Sequence, residues 1–127
     1  LMAEEVTRIL EARQDLDQLV GLGNRQMMRD NHRNHARFMA SLLSNYEPGV
    51  LVETVIWVFR AYRSHGFAAG YWMVQLDTWL DVFQRTLTDA SLASIRPVYD
   101  WMTQNIQGLV ELSKIMPPPV QQNDQQD

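Results

Sequence analysis

The sequence predicts an all-α protein, a bundle of four to five helices. Short runs that contain Gly, Pro, Asp or Ser divide the chain at regular intervals into five segments. Each segment is rich in residues that favour helices and carries apolar residues at helical spacing. The chain has 127 residues, of which 46% are hydrophobic, and this is enough for one folded domain. We predict that this domain spans residues 3–116.

The first two segments are predicted to be amphipathic helices. Segment one covers residues 3–20, and Gly21 or Gly23 should end it. Segment two covers residues 24–45, with Asn24 at the position that caps a helix. One face of segment two carries residues at spacings of three and four, two of them histidines: Met28, His32, His35, Met39 and Leu42.

Segment three, residues 48–62, is apolar on nearly every side. Pro48 suits the first turn of a helix, where its missing N–H is harmless. A strand over Val50–Phe59 is the competing prediction, because β-branched residues are frequent there. We prefer a helix, since an isolated strand would have no partner. A helix that is apolar all round is normally buried all round, so segment three is predicted to lie at the centre of the bundle.

Segments four and five complete the predicted bundle. Segment four covers residues 69–87, and segment five covers residues 91–115. Pro97 should kink segment five or mark its true start. Three prolines at 117–119 should then end the helix. The rest of the chain is rich in Gln, Asn and Asp, and residues 117–127 are predicted to form a disordered tail or a linker to a further domain.

The composition argues against several classes of function. Without cysteine, the chain has no disulfide, thiolate metal site or cysteine nucleophile. A net charge of −4 argues against nucleic acid as a partner. No apolar run approaches the ~20 residues of a membrane span, and the first residues do not resemble a signal peptide. We therefore expect a cytoplasmic protein with no membrane partner.

The aromatic residues, four each of Trp, Tyr and Phe, all lie between Phe38 and Trp101. This is a large aromatic content for a small core, and it predicts that some of these rings line a pocket or an interface. His65, in the turn after segment three, could either cap the helix or form the polar rim of such a pocket. The predicted ligand-pocket residues are His35, Trp57, Tyr62, His65 and Trp72.

The histidines also permit a metal or haem interpretation. His32 and His35 are three residues apart on one helix face, so their imidazoles could share a metal ion. The further ligands would come from elsewhere, for example His65, Asp77 or Asp100. A haem held by an axial histidine among apolar side chains is a variant of this idea. The competing interpretation is structural, with the histidines partly buried and hydrogen-bonded to neighbouring helices. The sequence identifies no cofactor.

Charged residues form two further patterns. Segment two carries an arginine row at a spacing of four: Arg25, Arg29, Arg33 and Arg37. Because segment one is acidic, the row predicts either ion pairs between the two segments or an anion-binding surface. Asp77 and Asp81 lie one turn apart, opposite the apolar face of segment four, where we expect them to be solvated rather than catalytic.

A spaced pattern of polar and apolar residues runs through segments two to four: Asp30-x4-His35-x2-Phe38-Met39-x2-Leu42, Trp57, His65-Gly66-Phe67, Leu76 and Leu80. This pattern, over about half of the chain, resembles the helical module that precedes ligand-binding domains in bacterial regulators, notably cobalamin-binding regulatory proteins. Such modules typically have Arg-Gly at the turn where this chain has His65-Gly66. The chain also lacks the cobalamin-binding Asp-x-His-x-x-Gly motif. The resemblance implies that this chain is the helical partner of an effector domain.

The number of helices is also similar to that of the globin-like sensor module at the start of stress-signalling proteins, which implies a globin-like arrangement. We therefore predict a non-catalytic sensory or regulatory module that binds a small ligand or a partner and signals through helix packing. We expect a homodimer, with a downstream domain or a separate protein as the partner. The alternatives are a metal or haem protein and a structural assembly domain. An enzyme is not expected, because no nucleophile stands beside a base.

Overall fold

A computed structural model describes residues 1–115, and every regular element in this range is a helix. The all-α prediction is confirmed. The elements, in chain order, are α1 (Met2–Glu11), α2 (Leu16–Val20), α3 (Arg25–Ser44), α4 (Pro48–Arg63), α5 (Gly70–Thr86), α6 (Asp89–Gln104) and α7 (Ile106–Ile115). Predicted segments two, three and four match α3, α4 and α5 closely. The predicted tail at 117–127 lies outside the described residues.

Two predicted segments are each divided into two helices. Segment one breaks between α1 and α2, where the Arg13 guanidinium holds the Asp15 carboxylate of the same turn at 2.9 Å. Pro97 does not mark the start of a helix, and that alternative is wrong: α6 runs from Asp89 through Pro97 to Gln104. Pro97 and Ala93 are both exposed, so water can reach the carbonyl group that the proline leaves without a donor. Asn105 donates its side-chain amide to the Trp101 carbonyl at 2.8 Å and caps α6.

The centre of the fold is α5, which corrects the prediction that segment three is central. α5 buries seven side chains: Tyr71, Trp72, Gln75, Leu76, Trp79, Val82 and Phe83. It packs against α1 and α6, while α1 also packs against α3. α4 buries only Leu51, Ile56 and Phe59, and its close backbone neighbour is α7. Within residues 1–115, none of the helices combines the length and apolar character that a membrane span needs.

The contact between α4 and α7 includes a buried serine that two arginines hold. Arg63 donates one N–H to the Ser113 hydroxyl at 2.7 Å and another to the Ser113 carbonyl at 2.8 Å. Arg60 donates to the same carbonyl at 3.3 Å. Ser113 is fully buried, so these bonds satisfy polar groups that water cannot reach. They tie the C-terminal end of α4 to α7.

Two turns meet where α2 and α4 end. Gly21 and Gly66 both have positive φ, 91° and 110°, as a glycine at a helix end allows. Asn24 stands at the predicted cap position of α3, but its side chain does not cap that helix. Instead, its amide donates to the Val20 carbonyl at 2.8 Å and to the His65 carbonyl at 2.7 Å. Asn24 therefore joins the two helix ends.

The close approach of these turns predicts a large cost for Gly21→Ala. A Cβ at Gly21 would lie 2.8 Å from the Asn24 amide nitrogen and 3.0 Å from the Gly66 carbonyl oxygen, at a φ that side chains rarely adopt. We expect the free energy of unfolding to fall by about 1–3 kcal/mol. Gly108→Ala is the matched control, because a Cβ there meets nothing within 4 Å. In α7 it should stabilise by about 0.5–1 kcal/mol. Urea unfolding measures both, and equal effects would contradict the prediction.

Candidate functional site

A cavity of about 320 Å³ separates α4 from α3 and α5. One residue of α6, Met102, closes one side of it. Most of the wall is apolar or aromatic, and a few polar side chains interrupt it. The fifteen residues that line the cavity are Asn31, Asn34, His35, Phe38, Met39, Thr54, Val55, Trp57, Val58, Phe59, Tyr62, Trp72, Gln75, Leu76 and Met102.

The cavity follows from the apolar character of α4. This helix packs closely on α7, so its opposite side is free to face α3 and α5 across open space. Val55 and Val58 are only half-buried there, and Trp57 is 38% exposed. The sequence makes α4 apolar all round, but the fold covers only part of it. The uncovered part forms the cavity wall and the apolar surface beside it.

Aromatic rings form the wall at the C-terminal end of α4. Phe59 of α4 stacks on Trp72 of α5, with ring centroids 4.6 Å apart and planes 25° apart. Tyr62 meets the edge of Trp72 at 5.6 Å and 83°. Burial raises the pKa of the Tyr62 hydroxyl, and a hydrogen bond with Asn31 partly opposes this rise. The Tyr62 ring thus forms part of the wall.

A chain of buried hydrogen bonds joins the cavity to the core. Tyr71 donates its hydroxyl to the Asn31 side-chain oxygen at 3.0 Å, and Gln75 donates its amide to the same oxygen at 2.8 Å. The Tyr71 oxygen lies 3.0 Å from His32 Nε2, and His32 Nδ1 lies 2.7 Å from the Thr7 hydroxyl. These bonds connect α1, α3 and α5.

These hydrogen bonds determine which ring nitrogen of His32 carries the proton. Since the Tyr71 proton goes to Asn31, the Tyr71 oxygen must accept from His32, and Nε2 therefore carries the ring proton. Nδ1 then accepts from the Thr7 hydroxyl. Burial lowers the pKa of His32 from 6.5 to about 4, so the ring is neutral at pH 7. Both of its nitrogens already have partners within the protein.

His35 is held against the core on its other side. Its Nε2 is hydrogen-bonded to the hydroxyl of Tyr99, which is fully buried in α6. The imidazole packs on the Trp79 ring at 4.9 Å. Burial, with a smaller contribution from His32, lowers the pKa of His35 to about 3. Trp79 Nε1 is the one fully buried side-chain polar atom in residues 1–115 that has no hydrogen-bond partner.

Four of the five predicted pocket residues share this cavity: His35, Trp57, Tyr62 and Trp72. His65 does not belong to it. It is exposed, and its Nδ1 lies 2.9 Å from the Ala61 carbonyl at the end of α4, as in the capping alternative. Whether the cavity binds a ligand stays a prediction.

Sequence reasoning missed the polar members of the wall, above all Asn31 and Gln75. A signal for Gln75 was present, because it lies between Trp72 and Trp79 on the apolar face of α5. A polar residue at such a position needs a buried partner. Asn31 gave no such signal, since it lies in a polar stretch and its burial depends on how α3 packs.

The structure does not bring the three histidines together as metal ligands. In residues 1–115, no group of three His, Cys, Asp or Glu side chains is placed to hold a metal ion. His32 has hydroxyl groups at both nitrogens, and His35 is bonded to Tyr99. His65 lies apart from both. These contacts agree with the structural interpretation, in which His32 and His35 are hydrogen-bonded to neighbouring helices.

The arginine row lies against the acidic side of α1 and α2, beside a polar groove between α1 and α3. Three of its members pair with carboxylates across the helices: Arg25–Asp17 at 3.1 Å, Arg29–Glu11 at 2.7 Å and Arg33–Glu4 at 3.7 Å. Arg37 donates to the Asn34 side chain on its own helix. Ion pairs between helices therefore engage three of the four arginines of the row.

Asp77 and Asp81 of α5 are exposed, and Asp81 pairs with Arg85 at 2.8 Å.

Comparison of the chain with protein-family models, with curated proteins and with solved structures finds no match. The resemblance to helical sensor modules therefore stays a prediction. The functional argument depends on the geometry of the cavity.

Proposed function

We propose that this protein is a non-catalytic sensory module that binds a small molecule in the cavity between α3, α4 and α5. The observation that carries the proposal is the cavity itself, about 320 Å³ in volume and lined by fifteen residues. Small-molecule sites are typically concave, about 300–1,000 Å³, mainly apolar, and marked by a few polar groups that orient the ligand. This cavity has all of these properties.

The buried histidines support a non-catalytic role. A general base works best when its pKa lies near the working pH. Burial lowers the pKa of His32 to about 4 and that of His35 to about 3, so both rings are weak bases at pH 7. Both nitrogens of His32 are also engaged by Thr7 and Tyr71. We assign both rings to holding the fold together and the cavity wall in place.

The connections of α4 support a route for the signal. α4 contributes six lining residues, and its close backbone contacts are with α7. A ligand that moves α4 away from α3 and α5 would move α7 with it, through the bonds from Arg60 and Arg63 to Ser113. α7 is the last described element before residue 116. A partner that follows or contacts α7 would receive the change.

The homodimer stays part of the proposal. Val50 and Trp57 are seven residues apart, so they lie on the same side of α4, and they are 44% and 38% exposed. Leu43, at the end of α3, is 44% exposed, and Tyr46, in the turn that follows, is 52% exposed. A second copy could cover this apolar surface.

Filling the cavity tests the proposed function. Val58 lines the cavity, so Val58→Phe should block it and weaken the binding of naphthalene at least about tenfold. Val52 is also a half-buried valine of α4 but does not line the cavity, so Val52→Phe is the matched control. It should leave the affinity within about twofold. Binding is read as quenching of tryptophan fluorescence, since Trp57 and Trp72 lie in the wall.

Thermal unfolding of both variants shows whether each is folded before binding is compared. Naphthalene binding to the wild type that Val58→Phe abolishes and Val52→Phe retains would support the proposal. No binding to the wild type, or equal binding to the wild type and Val58→Phe, would overturn it. In the latter case the bound probe would occupy another surface, as the structural-assembly alternative expects.

A further inference from the structure

The cavity wall contains no residue that is charged at neutral pH. None of the fifteen lining side chains is Asp, Glu, Lys or Arg, and the low pKa of His35, caused by burial, keeps that ring neutral. Arg37 is bonded to Asn34 but is exposed and is not part of the wall. A charged ligand would lose its hydration here without gaining an opposite charge. The wall therefore selects against ions.

Gln75 is the most deeply buried polar residue of the wall, and it has unused hydrogen-bonding capacity. Gln75 is 2% exposed, and its amide nitrogen donates to Asn31 at 2.8 Å. Among the described residues, no donor reaches the other end of this side chain, the Oε1 oxygen. In residues 1–115, Trp79 Nε1 is the one side-chain N or O atom that is both inaccessible to solvent and without a hydrogen-bond partner. Gln75 Oε1 has no partner either, so it must be accessible. Since Gln75 lines the cavity, we place Oε1 on the cavity wall.

The Gln75 amide turns its nitrogen toward the Asn31 oxygen. The Asn31 oxygen accepts from both Tyr71 and Gln75, so the Gln75 group that faces Asn31 must be the NH₂. The group left for the cavity is then a carbonyl oxygen, which accepts hydrogen bonds and cannot donate them. A ligand that satisfies it must carry an N–H or O–H donor.

From these two features we propose that the ligand is an uncharged, mainly apolar molecule with at least one hydrogen-bond donor, which it gives to Gln75 Oε1. This inference rests on the proposed function and defines the chemical class of the ligand. The apolar body would lie against Val55, Val58 and Leu76, with Trp57 at its side. An amide or alcohol on an aromatic or aliphatic body fits this description.

A series of probes of one shape tests the inference on the wild-type protein. The series is naphthalene, 2-naphthamide, 2-naphthoate and 2-naphthylmethylammonium, with binding read by tryptophan fluorescence at pH 7. We expect 2-naphthamide to bind about 5–10-fold more tightly than naphthalene, because it adds one hydrogen bond. The anion and the cation should bind at least about a hundredfold more weakly than the amide.

The variant Gln75→Met tests whether the preference for 2-naphthamide over naphthalene depends on Gln75 Oε1. Methionine keeps the length of the side chain and removes the acceptor, while Asn31 keeps its bond from Tyr71. Within this variant, 2-naphthamide and naphthalene should bind with equal affinity, so the preference for 2-naphthamide is lost whatever the affinity for naphthalene itself. The probe series on the wild type does not depend on whether this variant folds.

The possible outcomes separate this inference from the proposed function. The predicted order of affinities, with the amide preference lost in Gln75→Met, supports the inference. An anion or cation that binds as tightly as the amide, or an amide no better than naphthalene, overturns it. In that case naphthalene binding that Val58→Phe blocks still supports the cavity as a site. If naphthalene itself fails to bind, the proposed function is overturned, and this inference with it.

Discussion

Lowering the pH from 6.5 to 5 should destabilise the protein, because the buried His32 and the partly buried His35 resist protonation in the folded state. Burial lowers the pKa of His32 to about 4 and that of His35 to about 3, from 6.5 in the unfolded chain. The unfolded state therefore binds more protons below pH 6.5, and folding loses stability until the pH reaches the folded pKa values. The full His32 shift corresponds to about 3 kcal/mol. About half of this is lost between pH 6.5 and 5, and His35 acts in the same direction.

Between pH 6.5 and 5, the change in stability comes from the histidines rather than from the carboxylates. The pKa values of Glu4, Glu5 and Asp15 are lowered by hydrogen bonds to the N-terminal ammonium, Arg8 and Arg13 respectively. Such groups stabilise the fold above their unfolded pKa and lose this effect only as the pH falls further. A loss of stability that begins below pH 6.5 therefore belongs to the buried rings.

Urea unfolding at several pH values measures this effect as proton uptake on unfolding. Near pH 5 we expect an uptake approaching two protons, and about one in His32→Gln. His65→Gln, which removes an exposed histidine, serves as the control and should keep the wild-type uptake by the buried pair. Stability that is constant between pH 6.5 and 5 would contradict the burial of both rings.

Asn31→Leu should be among the most destabilising substitutions of a polar residue. The Asn31 oxygen accepts from the Tyr71 hydroxyl and the Gln75 amide, and both donors are buried. Leucine keeps the size of the side chain but leaves the two donors without an acceptor. Each stranded donor costs about 1–3 kcal/mol, so we expect a loss of ~2–6 kcal/mol. This would be a large part of the stability of a typical domain.

Asn34→Leu provides the matched control for this prediction. Asn34 lies three residues further along α3 and also lines the cavity, but it is exposed, and its oxygen is bonded only to the exposed Arg37. Its replacement should change the free energy of unfolding by no more than about 0.5 kcal/mol. Chemical unfolding of both variants measures the difference. Equal losses would show that the buried hydrogen bonds of Asn31 add nothing to stability.

Local sequence patterns were sufficient to predict most of the helices. Pro48 marks the start of α4, and the spacing from Met28 to Leu42 identifies the inward face of α3. Both signals depend on neighbouring residues only. The break at Asn105 was missed because Pro97 is the stronger breaker by type. Its exposed position, which only the fold determines, makes it tolerable in α6.

The cavity could be predicted only in part, because it depends on how α4 is covered. Aromatic content and helical spacing placed Trp57, Tyr62 and Trp72 in one pocket. The same apolar character led to the wrong prediction that α4 is central. Sequence alone does not show whether a neighbouring helix or open space lies against an apolar face. The polar contacts of Gln75 depend on α3 and α5 meeting, which is a property of the tertiary structure.

Methionine methyl groups offer the most direct measurement of the central claim, that the cavity binds a small apolar molecule. The chain has seven methionines, and Met39 and Met102 line the cavity. With ¹³C-labelled methionine methyl groups, titration with naphthalene should shift the signals of these two residues. They should also show contacts with the naphthalene protons, while Met2, Met27, Met28 and Met73 should not. Contacts confined to other methionines, or no change at Met39 and Met102 at saturating naphthalene, would contradict the account.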